Sequence, residues 1–350
     1  MLFMRIGMKR TVLAAIIGAI CVSSNASETN DKNEINYMPE IHGVVRARWE
    51  GEWADNDGFG SRFEVRNARI NIGGKVFPTI NYYVQFDASD QGKMKFLDAW
   101  GRWEFLPKWR IQAGQFRVPF GVDCFKAPGG YYFANRSFIG KHMVNMRQVG
   151  VKAGYYGKSG KIPTDIEFGV FNTASTENHN VWQKSYTYAV KNTWYISHIA
   201  VSGSFVSYKP QFTRVNVADG CVTWTYDRWV VEGEYQHKWY AGDRFRHVNA
   251  WNLYGVYTLP LKNSTVNFMS FEGRFDGMTD HSSGSNNSDG ILIADHPSRR
   301  RITVGSTIGR IHKLLKAEFS INYEKYFYNK GVCATRGNDD KLLAEITIKF

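Results

Sequence analysis

The last ten residues of the chain alternate between apolar and polar positions. One set, spaced two apart, is Leu342, Ala344, Ile346, Ile348 and Phe350. The intervening set is Leu343, Glu345, Thr347 and Lys349. Residues two apart share a face of an extended strand, so the pattern predicts a β-strand with one apolar face and one face that tolerates water. The closing strand of a transmembrane β-barrel has this pattern, and a half-buried terminal strand of a β-sandwich is the alternative.

The same alternation recurs in segments of roughly ten residues from position 41 onward. Strands are predicted at 41–52, 61–77, 80–89, 94–105, 109–118, 147–156, 163–172, 184–196, 199–209, 213–226, 229–240, 247–258, 264–275, 300–309, 316–328 and 340–350. In the second strand the phase slips near Asn67, as a β-bulge would produce. The links are alternately tight and long, and the long ones are 54–60, 119–146, 173–183, 276–299 and 329–339. We therefore predict an all-β protein whose residues 41–350 form an antiparallel transmembrane barrel of about sixteen strands.

The N-terminus has the three parts of a secretory signal. Arg5, Lys9 and Arg10 precede an apolar run over 11–22, and the small residues of 24–26 follow it. This run is too short to span a bilayer as a helix, so we predict a signal peptide over 1–26. Residues 27–40 are polar and aperiodic, and we predict a flexible periplasmic leader there. Export followed by a barrel places the protein in a Gram-negative type outer membrane.

Composition agrees with a barrel and limits the partners. Aromatic residues are 15% of the chain, as the aromatic girdles of a barrel require, and the net charge is +12. A basic excess suits nucleic acid, anionic lipid head groups or an anionic solute, and export argues against nucleic acid. Of the four cysteines, three remain after cleavage of the predicted signal peptide: Cys124, Cys221 and Cys333. They are odd in number and not at metal spacing, so we expect one disulfide at most.

No catalytic, cofactor or metal motif is found in the sequence, so we predict a channel and not an enzyme. A hydrolase assembled from separate strands stays open as an alternative, since such a site needs no linear motif. A secreted all-β binding protein is a further alternative. The link 119–146 is too long for a hairpin connection, and its aromatic residues indicate packing against the wall. We expect it to fold into the lumen and narrow it.

Two stretches resemble the phosphate-selective porin O and P family. They are Phe63–Gly74, which is rich in arginine, and Gly114–Gly121, which reads Gly-Gln-Phe-Arg-Val-Pro-Phe-Gly. Asn135-Arg-Ser137 and Met146-Arg-Gln-Val-Gly-Val151 follow in the order typical of that family. The resemblance implies a sixteen-stranded homotrimer that passes small anions, among them phosphate or polyphosphate. A general porin with weak charge preference is the alternative. Without a heptad stretch before the first strand, the barrel wall would have to hold the trimer.

The resemblance also implies that basic side chains of the lumen select anions. The wall candidates are Arg46, Arg48, Arg62, Arg66, Arg69, Arg102 and Arg110. The candidates in or beside the long loop are Arg117, Lys126, Arg136, Lys141 and Arg147. A guanidinium group offers phosphate two donors and stays charged at any working pH. The alternative is that these arginines pair with Glu50, Glu52, Glu64, Asp98 and Glu104. In similar proteins a terminal aromatic residue, here Phe350, is recognised by the barrel-assembly machinery.

Overall fold

Sixteen antiparallel strands form a closed barrel in which each strand pairs with its neighbours in sequence and β1 pairs with β16. The computed structural model describes residues 35–54, 58–90, 93–144, 146–173, 176, 181–182, 184–210, 213–263, 265–282, 291–329, 331–332 and 334–350. The strands are β1 Glu40–Ala54, β2 Gly58–Phe77, β3 Ile80–Asp90, β4 Lys93–Leu106, β5 Trp109–Arg117, β6 Arg147–Ser159, β7 Ile162–Asn172, β8 Tyr186–Ile196, β9 Ile199–Tyr208, β10 Val215–Tyr226, β11 Trp229–Tyr240, β12 Val248–Pro260, β13 Phe268–Met278, β14 Arg299–His312, β15 Leu315–Tyr328 and β16 Lys341–Lys349. The predicted barrel and its strand number are confirmed.

The last strand closes the barrel in the predicted orientation. Ile346 and Ile348 point outward and are 52% and 47% exposed, whereas Glu345 and Thr347 are buried toward the lumen. Just beyond the strand, the amide of Phe350 donates to the carbonyl oxygen of Gly43 at 3.0 Å, and the Gly43 amide donates back at 2.7 Å. The terminal residue therefore continues the pairing between the first and last strands.

The predicted phase slip in the second strand is a β-bulge. Arg46 pairs with Asn67 while the next residue, Ala47, pairs with Val65, so Arg66 is the extra residue. Because a bulge adds one residue to one strand, the side chains on both sides of it keep facing the lumen. Strand boundaries otherwise differ by a few residues, most at β13. That strand begins after a backbone hydrogen bond from Leu261 to Asn267, which lengthens the preceding turn.

The two ends of the barrel differ in the length of their connections. One end carries tight turns, and Lys108, Ser197, Asp227 and Lys313 in these turns have positive φ values, which suit the twist of a hairpin. The other end carries the long connections. Among the described residues, no helix is long and apolar enough to cross a membrane. The predicted signal peptide and most of the leader lie outside the described residues, as does Cys333. Cys124 and Cys221 are free, buried thiols.

The connection between β5 and β6, residues 118–146, lies inside the barrel. We refer to it as the inner loop. It contains short helical turns at Asp123–Phe125, Pro128–Gly130 and Ile139–Met143. Its apolar side chains, including Phe120, Phe138 and Ile139, form one buried cluster with wall residues such as Val217 and Met278. The core of this protein is thus formed between the inner loop and the lumen face of the later strands.

Candidate functional site

Three arginines of the wall bind three consecutive carbonyl oxygens of the inner loop. Arg46 of β1, Arg274 of β13 and Arg301 of β14 donate to the carbonyls of residues 134, 135 and 136, respectively. The donor–acceptor distances are 2.8, 2.9 and 2.7 Å. Charged donors make shorter and stronger hydrogen bonds than neutral ones. This part of the loop is therefore fixed by its backbone, independently of which side chains it carries.

A buried network of four charges supports these contacts. Arg301 binds Asp276 at 2.8 Å and Glu324 at 3.1 Å, and Arg274 lies 3.6 and 3.5 Å from the same two carboxylates. All four side chains are almost completely buried. Asp276 also accepts the amide of Phe138 at 2.9 Å. Because the charges balance within the network, it holds the loop without adding net charge to the lumen.

Residues 122–126, in the first half of the inner loop, are held by acids of β11. Glu234 accepts the amides of Val122 and Asp123 at 2.8 and 2.9 Å. The ammonium group of Lys126 lies against Glu232 and is 3.1 Å from Asp123. Burial raises the pKa of the Asp123 carboxyl, but Lys126 and a hydrogen bond from Ser137 outweigh that effect, and its pKa is lowered. Lys126, predicted to attract anions, is thus surrounded by carboxylates of the loop and wall.

Arg46 and Arg48 of β1 are also bound to carboxylates in the structure. Arg46 binds Glu345 at 2.6 Å in addition to the inner loop, and only 2% of it is exposed. Arg48 binds Glu50 at 2.8 Å and Glu64 at 2.6 Å, and it donates to the side chain of Asn135. Their charges are neutralised, so their position favours a structural role.

Four further candidates have a carboxylate partner on the wall. Arg69 binds Asp87 at 2.7 Å, and Arg147 binds Asp98 at 2.9 Å. The remaining two are more exposed: Arg62 contacts Glu50 at 3.3 Å and Glu64 at 3.4 Å, and Arg110 contacts Glu104 at 3.4 Å. Exposed ion pairs contribute little energy, and such arginines can exchange their partner for a passing anion more readily than the buried ones.

Four of the remaining candidates have no carboxylate closer than 4.0 Å among the described residues. Among the described residues, Arg117, Arg136 and Lys141 make no ion pair, and the nearest carboxylate to Arg66 is Glu64 at 4.0 Å. We call these four the basic cluster. Their charges interact, since Arg136 lies near both Arg66 and Arg117, and Arg66 lies near Lys141.

Two features of the basic cluster leave its positive charge without a counter-charge. The guanidinium group of Arg117 has a buried nitrogen, Nη1, without a hydrogen-bond partner. Arg136 packs over the ring of Tyr131, 5.1 Å from its centroid, with Arg46 at the same distance from that ring. The ring orients Arg136 without neutralising it, because a cation–π contact provides no counter-charge. Arg136 also donates from Nη1 to the carbonyl oxygen of Gly140 at 3.4 Å, so its hydrogen bonds leave its positive charge unneutralised.

Lys141 differs from the arginines because its charge depends on pH. Desolvation inside the barrel, together with the positive charges of Arg299 and Arg301, lowers the pKa of Lys141 to about 8. A lysine surrounded by cations gives up its proton more easily than a free one. The charge of the basic cluster therefore changes close to physiological pH.

Arg102 is separate from the basic cluster, near the end that carries the tight turns. Its guanidinium group lies 4.8 Å from the ring centroid of Trp100, and the described residues offer it no carboxylate within ion-pair distance. Arg110 is a charged neighbour. The two form a second, smaller basic patch along the wall.

Sequence reasoning missed the arginines of the C-terminal half. Arg299 and Arg301 stand two apart at the start of β14, and Arg274 stands on β13. The spacing of Arg299 and Arg301 puts both on one face of a strand, and that signal was present in the sequence. The sequence did not reveal that the partner of these arginines is the inner loop, because the loop is more than a hundred residues away in the chain.

Only one group of described residues has the arrangement of a metal site. Ligand atoms of Cys221, Glu232 and Glu234 lie within 4.8 Å of one another. Glu232 is already bound by Lys126, however, and Glu234 by two amides of the inner loop. The ammonium group of Lys126 provides the positive charge that a metal would otherwise supply.

The comparison with protein families gives one match. The family described as "Phosphate-selective porin O and P" matches residues 53–227, half of the 350-residue chain, and this confirms the resemblance seen in the sequence. No curated protein matches the chain in sequence.

Several solved structures are similar in fold. The anion-selective porin from Comamonas acidovorans has a TM-score of 0.61 at 9% identity, covering 89% of this chain and 98% of that one. OmpF of Salmonella typhi, solved with daunomycin, has a TM-score of 0.59 at 13% identity, covering 89% and 97%. The trimer form of OmpT from Vibrio cholerae has a TM-score of 0.54 at 10% identity, covering 89% and 98%. At these identities the similarity is one of fold alone.

Proposed function

The chain belongs to the phosphate-selective porin O and P family of outer-membrane channels, and from this premise we propose that it passes small anions by diffusion. It is a channel rather than an enzyme. Within the anions, we propose phosphate or polyphosphate as preferred solutes, because unpaired guanidinium groups offer forked donors to a tetrahedral oxyanion.

The unequal pairing of charges inside the barrel is the observation that carries this proposal. On the side of β11 to β15, acids such as Glu234, Asp276 and Glu324 are bound by the inner loop or by wall arginines. On the side of β2 and β5, the only carboxylate partner of the basic cluster among the described residues is Glu64, 4.0 Å from Arg66. The charge that the basic cluster presents to a solute is therefore positive. In a narrow lumen with walls of low dielectric constant, such a field concentrates anions.

The inner loop defines the narrow part of the proposed pathway. It presents Arg136 and Lys141 from the middle of the lumen, while Arg66 and Arg117 come from the wall. We propose that this loop is the constriction and that anions pass between it and β2 to β5. A loop bound by its backbone keeps its side chains at a fixed distance from the wall, which a selective passage needs.

Export and assembly complete the proposal. We propose that the signal peptide over 1–26 directs export, that residues 27–40 form a periplasmic leader, and that Phe350 contributes to recognition by the barrel-assembly machinery. We also propose a homotrimer held by the barrel wall. The trimer form of OmpT, a protein of similar fold, supports this assembly.

Zero-current potentials in planar bilayers test the solute preference. Under a gradient of potassium chloride, the purified channel should favour chloride over potassium, and phosphate added at constant ionic strength should reduce the chloride current. A chloride preference without an effect of phosphate would support an anion porin that is not selective for phosphate. A preference for potassium would contradict the proposal and favour the general porin.

A further inference from the structure

Three histidines meet where the inner loop touches the connection between β13 and β14. His142 belongs to the turn Ile139–Met143 of the inner loop. His281 and His296 belong to the connection, where the amide of each donates to the carbonyl of the other at 2.9 and 3.2 Å. The ring centroid of His142 lies 4.4 Å from that of His296 and 6.3 Å from that of His281. From this contact we infer an acid-sensitive switch: the neutral imidazoles hold the inner loop to the connection, and their protonation releases it.

Two hydrogen bonds to this cluster require neutral imidazoles. Arg299 of β14 donates from Nη2 to Nε2 of His142 at 2.8 Å. Lys238 of β11 donates from Nζ to Nε2 of His281 at 3.1 Å. A protonated imidazole carries hydrogen on both nitrogens and accepts no hydrogen bond. Protonation therefore removes both contacts and places two like charges where each bond had been.

The cations around the cluster act in the same direction, and one acid opposes them. Arg299 and Lys238 come from the wall, and Lys141 precedes His142 in the inner loop. On the connection, Asp295 opposes these charges, whereas Asp280 is bound to Arg246 at 2.7 Å. Two tyrosines lie nearby: the hydroxyl of Tyr240 donates to the carbonyl oxygen of Ser282 at 2.7 Å, and the ring centroid of Tyr326 is 6.1 Å from that of Phe138. Positive charge thus predominates next to the rings.

The direction of the pH effect follows from linkage. The pKa of His142 is lowered to about 2, mainly because the ring is buried and secondly because Arg299 is close. The pKa of His281 is also lowered to about 2, mainly by burial and secondly by the charge of Lys238. The pKa of His296 is lowered as well, first by burial and then by the charge of Arg299. A group whose pKa is lowered by a contact stabilises that contact above its ordinary pKa and destabilises it below. The contact should hold at pH 7 and weaken as pH falls below about 6.5.

The expected effect is large enough to measure. Each histidine that regains its ordinary pKa on release favours the released state by about 30-fold at pH 5. His142 and His281 together favour it by up to ~10³-fold, and His296 adds to the effect in the same direction. The surrounding cations also argue against a metal at this cluster, because Arg299 and Lys238 donate to Nε2 of His142 and of His281 and place positive charge beside both rings.

Hydrogen exchange of the full-length folded barrel in lipid nanodiscs tests the contact directly. At pH 5, after correction for intrinsic rates, the amides of 138–144 and 291–298 should lose protection by at least about 10-fold relative to pH 7. The triple variant His142→Gln, His281→Gln, His296→Gln should show the same protection at both pH values, because a glutamine amide oxygen accepts hydrogen bonds at any pH. His198→Gln, outside the cluster, should behave as the wild type. Equal wild-type protection at pH 5 and pH 7, or a loss that persists in the triple variant, would overturn the switch.

The consequence for transport rests on the proposed function and is measured separately. Release of the turn that carries Lys141 should change the single-channel conductance between pH 7 and pH 5 in the wild type and not in the triple variant. If hydrogen exchange responds to acid while the conductance does not, the effect of the switch on transport is refuted. If the protein forms no anion-conducting channel, the proposed function fails, and hydrogen exchange still decides the histidine contact.

Discussion

Arg301 donates a hydrogen bond from Nη2 to the carbonyl oxygen of Arg136 at 2.7 Å, although the two residues are 165 positions apart. One arginine thus binds the backbone of the other, and among the described residues only the first has carboxylate partners. Paired arginines therefore hold the inner loop, and we propose that the unpaired ones act on the solute.

Replacing Arg301 by methionine should destabilise the barrel and loosen the inner loop. The change leaves Glu324 and Asp276 with Arg274 alone, and breaking a buried ion pair typically costs about 3–5 kcal/mol. We expect a lower temperature for the loss of the compact band in heat-modifiability gels. The double variant Arg301→Met, Glu324→Gln should recover part of that loss. Unchanged heat stability of the single variant would refute the supporting role of Arg301.

Replacement of residues 122–144 by a short Gly-Ser link should raise the single-channel conductance, because the inner loop fills part of the lumen. A matched replacement in the connection 241–247 should leave the conductance near that of the wild type. Equal or lower conductance in the loop variant would argue against a constriction.

The double variant Arg117→Gln, Arg136→Gln should reduce the preference for anions, because it removes two charges without a carboxylate partner. We expect the chloride-to-potassium permeability ratio to fall by ~2-fold or more. The control, Arg69→Gln with Asp87→Asn, removes a paired positive and negative charge and should leave that ratio unchanged. If the control shifts the ratio as much as the test variant, pairing does not decide which arginines act on the solute.

Lys141 should make the anion preference depend on pH. Its pKa of about 8 means that it is charged at pH 7 and mostly neutral at pH 9. The preference for chloride should therefore fall as pH rises through 8, as zero-current potentials would record. Lys141→Arg should remove this dependence, because arginine keeps its charge over the whole range. A pH dependence that survives in Lys141→Arg would assign it to another group.

Deleting Phe350 should lower the amount of folded barrel in outer membranes. The residue continues the pairing of β16 with Gly43, and its aromatic ring lies over that glycine. Signal cleavage should be unaffected, and Phe350→Tyr should retain most of the yield. We would measure heat-modifiable protein in membrane fractions. A wild-type yield without the terminal residue would exclude a role in assembly.

Much of the fold was predictable because successive side chains of a barrel strand face lipid and lumen in turn, so apolar and polar residues alternate along the strand. The alternation in the last strand, the bulge at Arg66 and the alternation of tight and long connections all follow from local chemistry. Each strand pairs with its neighbour in sequence, so few arrangements of the strands compete. The predicted lumen face of β1, with Arg46 and Arg48 inward, followed from the same rule.

The tertiary structure decided which of the basic residues are neutralised. The sequence assigns Arg48 to the wall and Arg117 to the long loop or its border, both as candidates for the lumen, yet Arg48 has two carboxylate partners and Arg117 has none among the described residues. The difference arises from the path of the inner loop and from the register between distant strands. Alternation specifies the face on which a residue lies, whereas pairing depends on what the rest of the chain brings to that face. The sequence by itself therefore determined a barrel with a basic lumen, and the packed inner loop determined which charges remain available, because ion pairs form over a few ångströms in space between residues far apart in the chain.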